Sequence, residues 1–353
     1  MTTYLHSIQI GVLLFFVFLL LALIPYLIVQ YRKYGHVNTW RFFVNFSFIL
    51  YLICAYAMTI FPLPNVAEVA KMTGPKQNLV PFEFVRQFIL YSPFRLDEPA
   101  TWLPAIKSFT FIQPFFNLLL TIPFGIYLRY LFKRTFKQTV ILGFLLTLSF
   151  ELLQRSALFG LYPRPYRLFD VDDLMTNLLG SLLGFALAIL LQKVLPDLDA
   201  VANEQAKVSL LRRFVAFIVD GFVVLIVGIL LPYSYLSEVI VFLLIPIVFK
   251  ASLGQLLLKI GIKSKNRWRI LLRQLLMSVN FSLVYLEMYF LQRSGEVPEQ
   301  DLAQNYLMAM IVLALIALPI LDVIFAGLLR TKKLWYERLS GTEMAVKTKS
   351  GSF

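Results

Sequence analysis

The sequence predicts an all-α fold: a polytopic helical membrane protein of about nine transmembrane helices, five in a first bundle and four in a second. Three observations carry this. Of 353 residues, 59% are hydrophobic and only 15% charged, with a mean hydropathy of +0.75. Apolar runs long enough to cross about 30 Å of hydrocarbon recur along the whole chain. Lysine and arginine gather in alternate connections between those runs, as they do where loops face the cytoplasm.

The first run, "IQIGVLLFFVFLLLALIPYLIV", is too long for a signal-peptide core and has no basic flank before it, so it reads as a retained span over 8–30. Further spans are expected at 42–62, 108–131, 138–157, 173–193, 213–231, 236–250, 271–291 and 306–329. Basic residues follow the first span (Arg32, Lys33, Arg41), the third (Arg129, Lys133, Arg134, Lys137) and the fifth (Lys193, Lys207, Arg212, Arg213). They also follow the seventh, from Lys250 to Arg273, and the ninth (Arg330, Lys332, Lys333). One orientation puts all of them in the cytoplasm: N-terminus outside, C-terminus inside. The remaining loops fall outside, "LPYSYLSE" without a basic residue and "QRSGEVPEQD" net acidic. The long 63–107 loop contains "NLVPFEFVRQFILYSPF", an apolar stretch expected to lie on the membrane interface. The longest polar break, "PDLDAVANEQAKVSLL", divides the chain into domains 1–200 and 201–353, the second ending in a cytoplasmic tail.

The excess of 33 Lys+Arg over 20 Asp+Glu belongs to this loop asymmetry, and no nucleic-acid partner is expected. A single cysteine, Cys54, excludes an internal disulfide and any multi-cysteine metal site. His6 and His36 lie far apart in sequence, so no histidine metal cluster is expected either. No Walker loop, GxGxxG turn, GxSxG elbow, HExxH or CxxC pair occurs. ATP-driven transport, dinucleotide chemistry, serine hydrolysis and zinc catalysis therefore have no support, and no cofactor is implied.

The stretch "FDVDDLMTNLLGSLLGF" (169–185) places Asp170, Asp172 and Asp173 at the outer lip of the fifth span. Capping needs only one or two of them. Asp170, Asp173, Asn177, Gly180 and Gly184 step by three or four and form one helical stripe. Span four offers a parallel stripe, Gly143, Thr147, Glu151 and Gln154. The two are expected to pack along their small residues and open outward into a polar cleft holding Glu151, Gln154, Asp170 and Asp173. Arg155, Arg164 and Arg167 can offset the carboxylates, while Asp172 is expected to serve as cap and interface charge. Two readings stand: a network that locks the hairpin, or a working site, since ionisable groups in a membrane are costly.

"NLVPF" (78–82), "NLLLTIPFGIYL" (117–128), "SFELLQ" (149–154) and "RLFDVDDLMTNLLGSLLG" (167–184) resemble, in order, the successive motifs of the VanZ-like family, and "AMTIFP" (57–62) echoes the end of its early span. The resemblance covers about 40–193. It implies a helical membrane protein of a bacterial plasma membrane, in a family some of whose members confer low-level resistance to teicoplanin and related lipoglycopeptides. Its recurrent polar positions fall on Asn78, Glu151, Gln154, Arg167, Asp170, Asp173 and Asn177.

Over 207–347 the chain resembles the RDD family. "RRFVAFIVD" carries Arg213, Ala216 and Asp220. "SLGQLLLKIGIKS" carries Gly254, Gln255 and Lys259, with Leu258 where a glycine is usual, and "YERLSGT" has Glu337 where aspartate is usual. Independently of that resemblance, Asp220 and Asp322 are expected at one depth in spans six and nine, either as an interhelical network or as a cation path.

Two function classes follow. One is a non-enzymatic envelope protein that binds an outer-leaflet membrane lipid, a lipid-linked wall precursor or a lipoglycopeptide in the cleft, with Arg155, Arg164 and Arg167 meeting a phosphate. The other is an enzyme on such a lipid, with Glu151 and Asp173 as acid and base. Ion or small-molecule transport through the second half is a third option.

Overall fold

The structure is a computed structural model and describes residues 2–198, 208–231, 234–293, 299–328 and 333–347. Lys207, Arg330, Lys332, residues 199–207 of the polar linker and residues 294–298 of the acidic loop lie outside the described residues.

In chain order the long helices are α1 (Thr2–Tyr34) and α2 (Thr39–Ile60). A loop region follows with α3 (Val66–Lys71), β1 (Gln77–Asn78), α4 (Glu83–Tyr91) and α5 (Trp102–Ile106). Then come α6 (Phe109–Tyr130), α7 (Phe136–Arg155), the single turn α8 (Ala157–Gly160), β2 (Phe169–Asp170) and α9 (Val171–Leu191). The second half holds α10 (Leu210–Leu230), α11 (Ser234–Glu238), α12 (Ile245–Phe249), α13 (Leu253–Leu257), β3 (Ile260–Lys263), α14 (Arg267–Arg293), α15 (Glu299–Leu328), α16 (Trp335–Ser340) and β4 (Glu343–Val346).

Among the described residues, 8 helices are long and apolar enough to cross a membrane: α1, α2, α6, α7, α9, α10, α14 and α15. Their outward faces are greasy, with Leu20, Leu225 and Ile229 exposed by 78%, 65% and 84%. In lipid such faces need no protein cover, while the backbone polar groups are satisfied inside each helix. The protein is thus an all-α polytopic membrane protein. The expected seventh span, 236–250, differs. It is built as α11, a π-helical stretch Val239–Leu244 and α12, with Pro246 inside and Lys250 at φ 57 ending it. At 1.5 Å per residue, 234–249 covers about 24 Å, short of a bilayer core.

Two compact units form: Met1–Leu21 with Asn38–Ala202, and Ala22–Val37 with Asn203–Phe353. Residues 22–37, which the sequence alone groups with the first domain, pack in the second. The reason is apolar burial: Leu27 and Tyr31 join Val215, Leu258, Ile260, Ile270 and Met344 in one core.

In the first unit α6 and α9 make the closest helix pair. A Cβ added to Gly180 would lie 2.1 Å from the Leu118 carbonyl oxygen, and one on Gly184 1.9 Å from that of Ile122. Only glycine admits this backbone approach. Gly180 and Gly184 therefore face the third span, and the expectation that they face the fourth is corrected. Span four meets α9 through Gly143 instead, whose added Cβ would touch Leu178 and Ser181 side chains at 3.1 Å. In the second unit β3 and β4 pair antiparallel, Ile260 opposite Val346 and Lys263 opposite Glu343.

Candidate functional site

The acidic stretch is held by backbone geometry before any side chain acts. β1 and β2 pair in parallel, Asn78 opposite Asp170, and this short ladder fixes the chain as it enters α9. Asp170 is the N-cap: its Oδ1 accepts from the Asp172 backbone N–H at 2.9 Å and from Asn78 Nδ2 at 3.1 Å. Glu151, 2% exposed on α7, accepts the Asp170 backbone N–H on Oε2 at 2.9 Å. Burial pushes the Asp170 carboxyl above the usual carboxylate range. The two hydrogen bonds oppose this, while the Asp172 and Glu83 charges add to it.

Asp173, one turn into α9, accepts from Asn117 Nδ2 of α6 at 2.6 Å. Asn177 is 4% exposed, and its Oδ1 has no hydrogen-bond partner among the described residues. Its backbone carbonyl accepts from Thr121 Oγ1 at 2.5 Å, again tying α9 to α6. Gln154 Nε2 donates to the Thr59 carbonyl at 3.2 Å, and Arg167 donates to the Phe61 carbonyl at 3.0 Å and that of Met58 at 3.4 Å, both near the end of α2.

These residues line one cavity of about 330 Å³. Glu151, Gln154, Arg167, Asp170, Asp173 and Asn177, all picked from sequence, face it together with Gln113 and Asn117 of α6. Phe109, Phe116, Leu120 and Phe150 form its apolar wall. The sequence stripes missed the α6 contribution. Gln113, Asn117, Thr121 and Gly125 step by four along α6, a stripe that runs from polar to small like the other two, and Asn117 heads the quoted "NLLLTIPFGIYL". Asn78 is outside the lining and acts through Asp170.

Three expectations are corrected. Arg164 does not reach the cleft; it donates to the carbonyls of Met72 and Gly74 and clamps the 72–74 loop. Arg155 is exposed and outside the lining, leaving Arg167 as the cleft's arginine. Asp172 is no surface charge. It is 3% exposed and accepts the backbone N–H groups of Phe82 at 2.6 Å and Phe84 at 2.9 Å, so it caps α4, a helix far off in sequence. Among the described residues no three His, Cys, Asp or Glu side chains gather at metal-binding spacing.

The second unit has its own polar centre. Arg213 donates to Glu337 at 2.9 Å, Arg273 lies 3.6 Å from the same carboxylate, and Glu337 is fully buried. Asp220 accepts from Ser252 Oγ at 2.5 Å and from the Gly254 N–H at 2.7 Å, while Gln255 completes a capping box with Ser252. Asp322 accepts from the Trp335 N–H at 2.8 Å and pairs with Arg338. Arg213, Asp220, Gln255 and Asp322 line a second cavity of about 350 Å³. Lys259 stands apart, donating to the Arg32 carbonyl at 3.0 Å. Arg212, 1% exposed, is held by the Leu258 carbonyl.

No curated protein and no solved structure matches the chain. The family model described as VanZ/LLP1 matches residues 48–192. That segment runs from α2 to the end of α9 and contains every residue of the first unit's cavity. Residues 48–192 are thus similar to the VanZ/LLP1 family, in a chain with 8 helices apolar enough to cross a membrane among the described residues.

Proposed function

We propose that this is a multi-pass protein of a bacterial plasma membrane, with its N-terminus outside and, with 234–249 counted as a ninth crossing in a locally thinned bilayer, its C-terminus in the cytoplasm. In this reading the first unit's cavity binds the polar end of an outer-leaflet lipid, a lipid-linked wall precursor or a lipoglycopeptide, and so contributes to teicoplanin-type resistance. One observation carries it: the cavity is amphiphilic. Its lining combines carboxylates, amides and Arg167 with Phe109, Phe116, Leu120 and Phe150. A ligand with a hydrogen-bonding head and an acyl chain suits such walls, because each part meets its own kind of surface. The unpaired Asn177 Oδ1 favours a donor on the ligand, since a buried acceptor left unmet is costly. The VanZ/LLP1 match and the apolar helices support the envelope setting.

For the second unit we propose an RDD-like domain. The support is that Arg213, Asp220, Gly254, Gln255 and Glu337, which carry that resemblance, are joined by hydrogen bonds or line one cavity. The network pairs the Glu337 carboxylate with two arginines, and helix assembly is its primary role in this account.

Native mass spectrometry of the full chain with teicoplanin, and with a glycopeptide that lacks an acyl chain, tests the binding reading. The acylated compound should be retained and the other lost. Equal retention of the two, or retention of neither, sinks the lipoglycopeptide ligand.

A further inference from the structure

The first unit carries a second, chemically opposite pocket that the cleft does not use. It is a cavity of about 490 Å³ lined by Arg129, Lys133, Arg134, Gln192 and Asp197, with Tyr130, Leu195 and Pro196 completing the wall. We infer that this pocket binds a phosphate group presented by an anionic phospholipid, at the end of the unit opposite the carboxylate cleft.

Its place in the fold makes it a headgroup site. Asp173 and Gln192 belong to one helix and its C-cap, 19 residues apart, so about 28 Å separates cleft from pocket at 1.5 Å per residue. That is close to one hydrocarbon thickness of about 30 Å. Phe132, Phe136, Leu190 and Val194, each within two residues of a lining residue in sequence, are exposed by 40%, 54%, 60% and 84%. Acyl chains can lie against such exposed apolar side chains while the phosphate stays at the pocket.

The cations are held ready. The Arg129 guanidinium lies over the Phe185 ring at 4.7 Å, and its Nε is buried with no hydrogen-bond partner among the described residues. Phe185 in turn packs against Phe136 at 5.8 Å. A tight turn brings the other two close. Leu131 and Phe132 both donate to the Tyr127 carbonyl, Lys133 adopts φ 54, and the Arg134 N–H returns to the Leu128 carbonyl at 2.8 Å. Asp197, 3.6 Å from Lys133, is the single carboxylate in the lining among the described residues. Three cations against one carboxylate leave an excess of two positive charges among these residues, which suits a headgroup of net negative charge better than a zwitterionic one. Loop topology alone explains why basic residues lie on this side of a membrane. It does not explain a cavity, nor a lining guanidinium stacked on Phe185.

The test uses the purified full chain in neutral detergent, reading the thermal unfolding midpoint against added short-chain phosphatidylglycerol, phosphatidylcholine or inorganic phosphate. Phosphatidylglycerol should raise the midpoint saturably, and phosphatidylcholine should not. The double variant Arg129→Gln/Arg134→Gln should weaken the apparent affinity about tenfold or more. Asp197→Asn removes the opposing carboxylate and should tighten it, an outcome that misfolding cannot imitate. If inorganic phosphate alone reproduces the saturable shift and its dependence on these variants, the ligand is a free anion and the lipid assignment is overturned. A shift of equal size in wild type and both variants, or with either lipid, overturns the site altogether.

Discussion

Glu151 Oε2 accepts the backbone N–H of Asp170 at 2.9 Å, so a carboxylate on one helix holds the residue that caps the next. The acidic run at the mouth of α9 is therefore a set of distinct parts. Asp170 caps, Asp173 faces the cavity and is met by Asn117, and Asp172 reaches backward to α4.

That division makes Asp172 a stability residue. Asp172→Asn leaves one acceptor oxygen for two backbone donors, Phe82 N–H and Phe84 N–H. A lost hydrogen bond at a buried donor costs about 1–3 kcal/mol. Hydrogen exchange should show faster exchange across 82–91 in this variant, with α7 unchanged. Unaltered protection of 82–91 would remove Asp172 from the cap.

The α6–α9 contact should be far less tolerant than the α7–α9 contact. In Gly180→Ala the new methyl would meet backbone oxygen at 2.1 Å, which cannot yield without moving a helix. In Gly143→Ala it would meet flexible side chains at 3.1 Å. Overpacking of the first kind costs about 1–3 kcal/mol. The thermal midpoint in detergent should fall clearly for Gly180→Ala and little for Gly143→Ala. The reverse order would place the tight seam on α7.

Asp170 gives a pH signature. Its carboxyl is raised in the folded protein, chiefly by burial, so the folded state holds its proton to higher pH than the unfolded state does. Stability from this group is fully present below the unfolded value of 3.8 and is lost as pH rises through the raised folded value. Asp170→Asn keeps a good N-cap and an acceptor for Asn78 but removes the titration. Relative to wild type, the variant should gain stability as pH rises above about 4. A difference that does not change with pH contradicts the raised carboxyl.

In the second unit, Glu337→Gln leaves Arg213 and Arg273 facing a neutral amide in a fully buried place. Breaking one partner of a buried ion network costs about 3–5 kcal/mol. The full chain should lose thermal stability accordingly. A neutral effect would mean that the two arginines find other partners.

The spans and the two stripes were legible in the sequence because hydropathy and helical spacing are local properties. Glu151, Gln154, Asp173 and Asn177 share a cavity because their spacing puts them on inward faces. What the sequence concealed depends on which helix lies next to which. Gly180 and Gly184 read as a contact motif, yet nothing local says that the partner is α6 rather than α7. Asn117 was missed although its own stripe was legible, and Arg164 was hidden because a loop arginine reads as a free charge until its carbonyl partners are seen. Tyr31 and Leu27 belong to the second unit although α1 reads as one uniform apolar run. The 236–250 segment was read by hydropathy alone, which does not register Pro246 or the left-handed Lys250 that shorten it.

The central claim is that the carboxylates facing the first cavity carry function by their charge. The most direct measurement is teicoplanin susceptibility of a sensitive bacterial host expressing wild type, Glu151→Gln, Asp173→Asn or Asp172→Asn at matched membrane levels. Amide replacement keeps shape and a hydrogen-bond acceptor, so it tests charge. The account predicts that Glu151→Gln and Asp173→Asn each lose protection, while Asp172→Asn, once its level is matched, keeps most of it. Full protection by both Glu151→Gln and Asp173→Asn would contradict it.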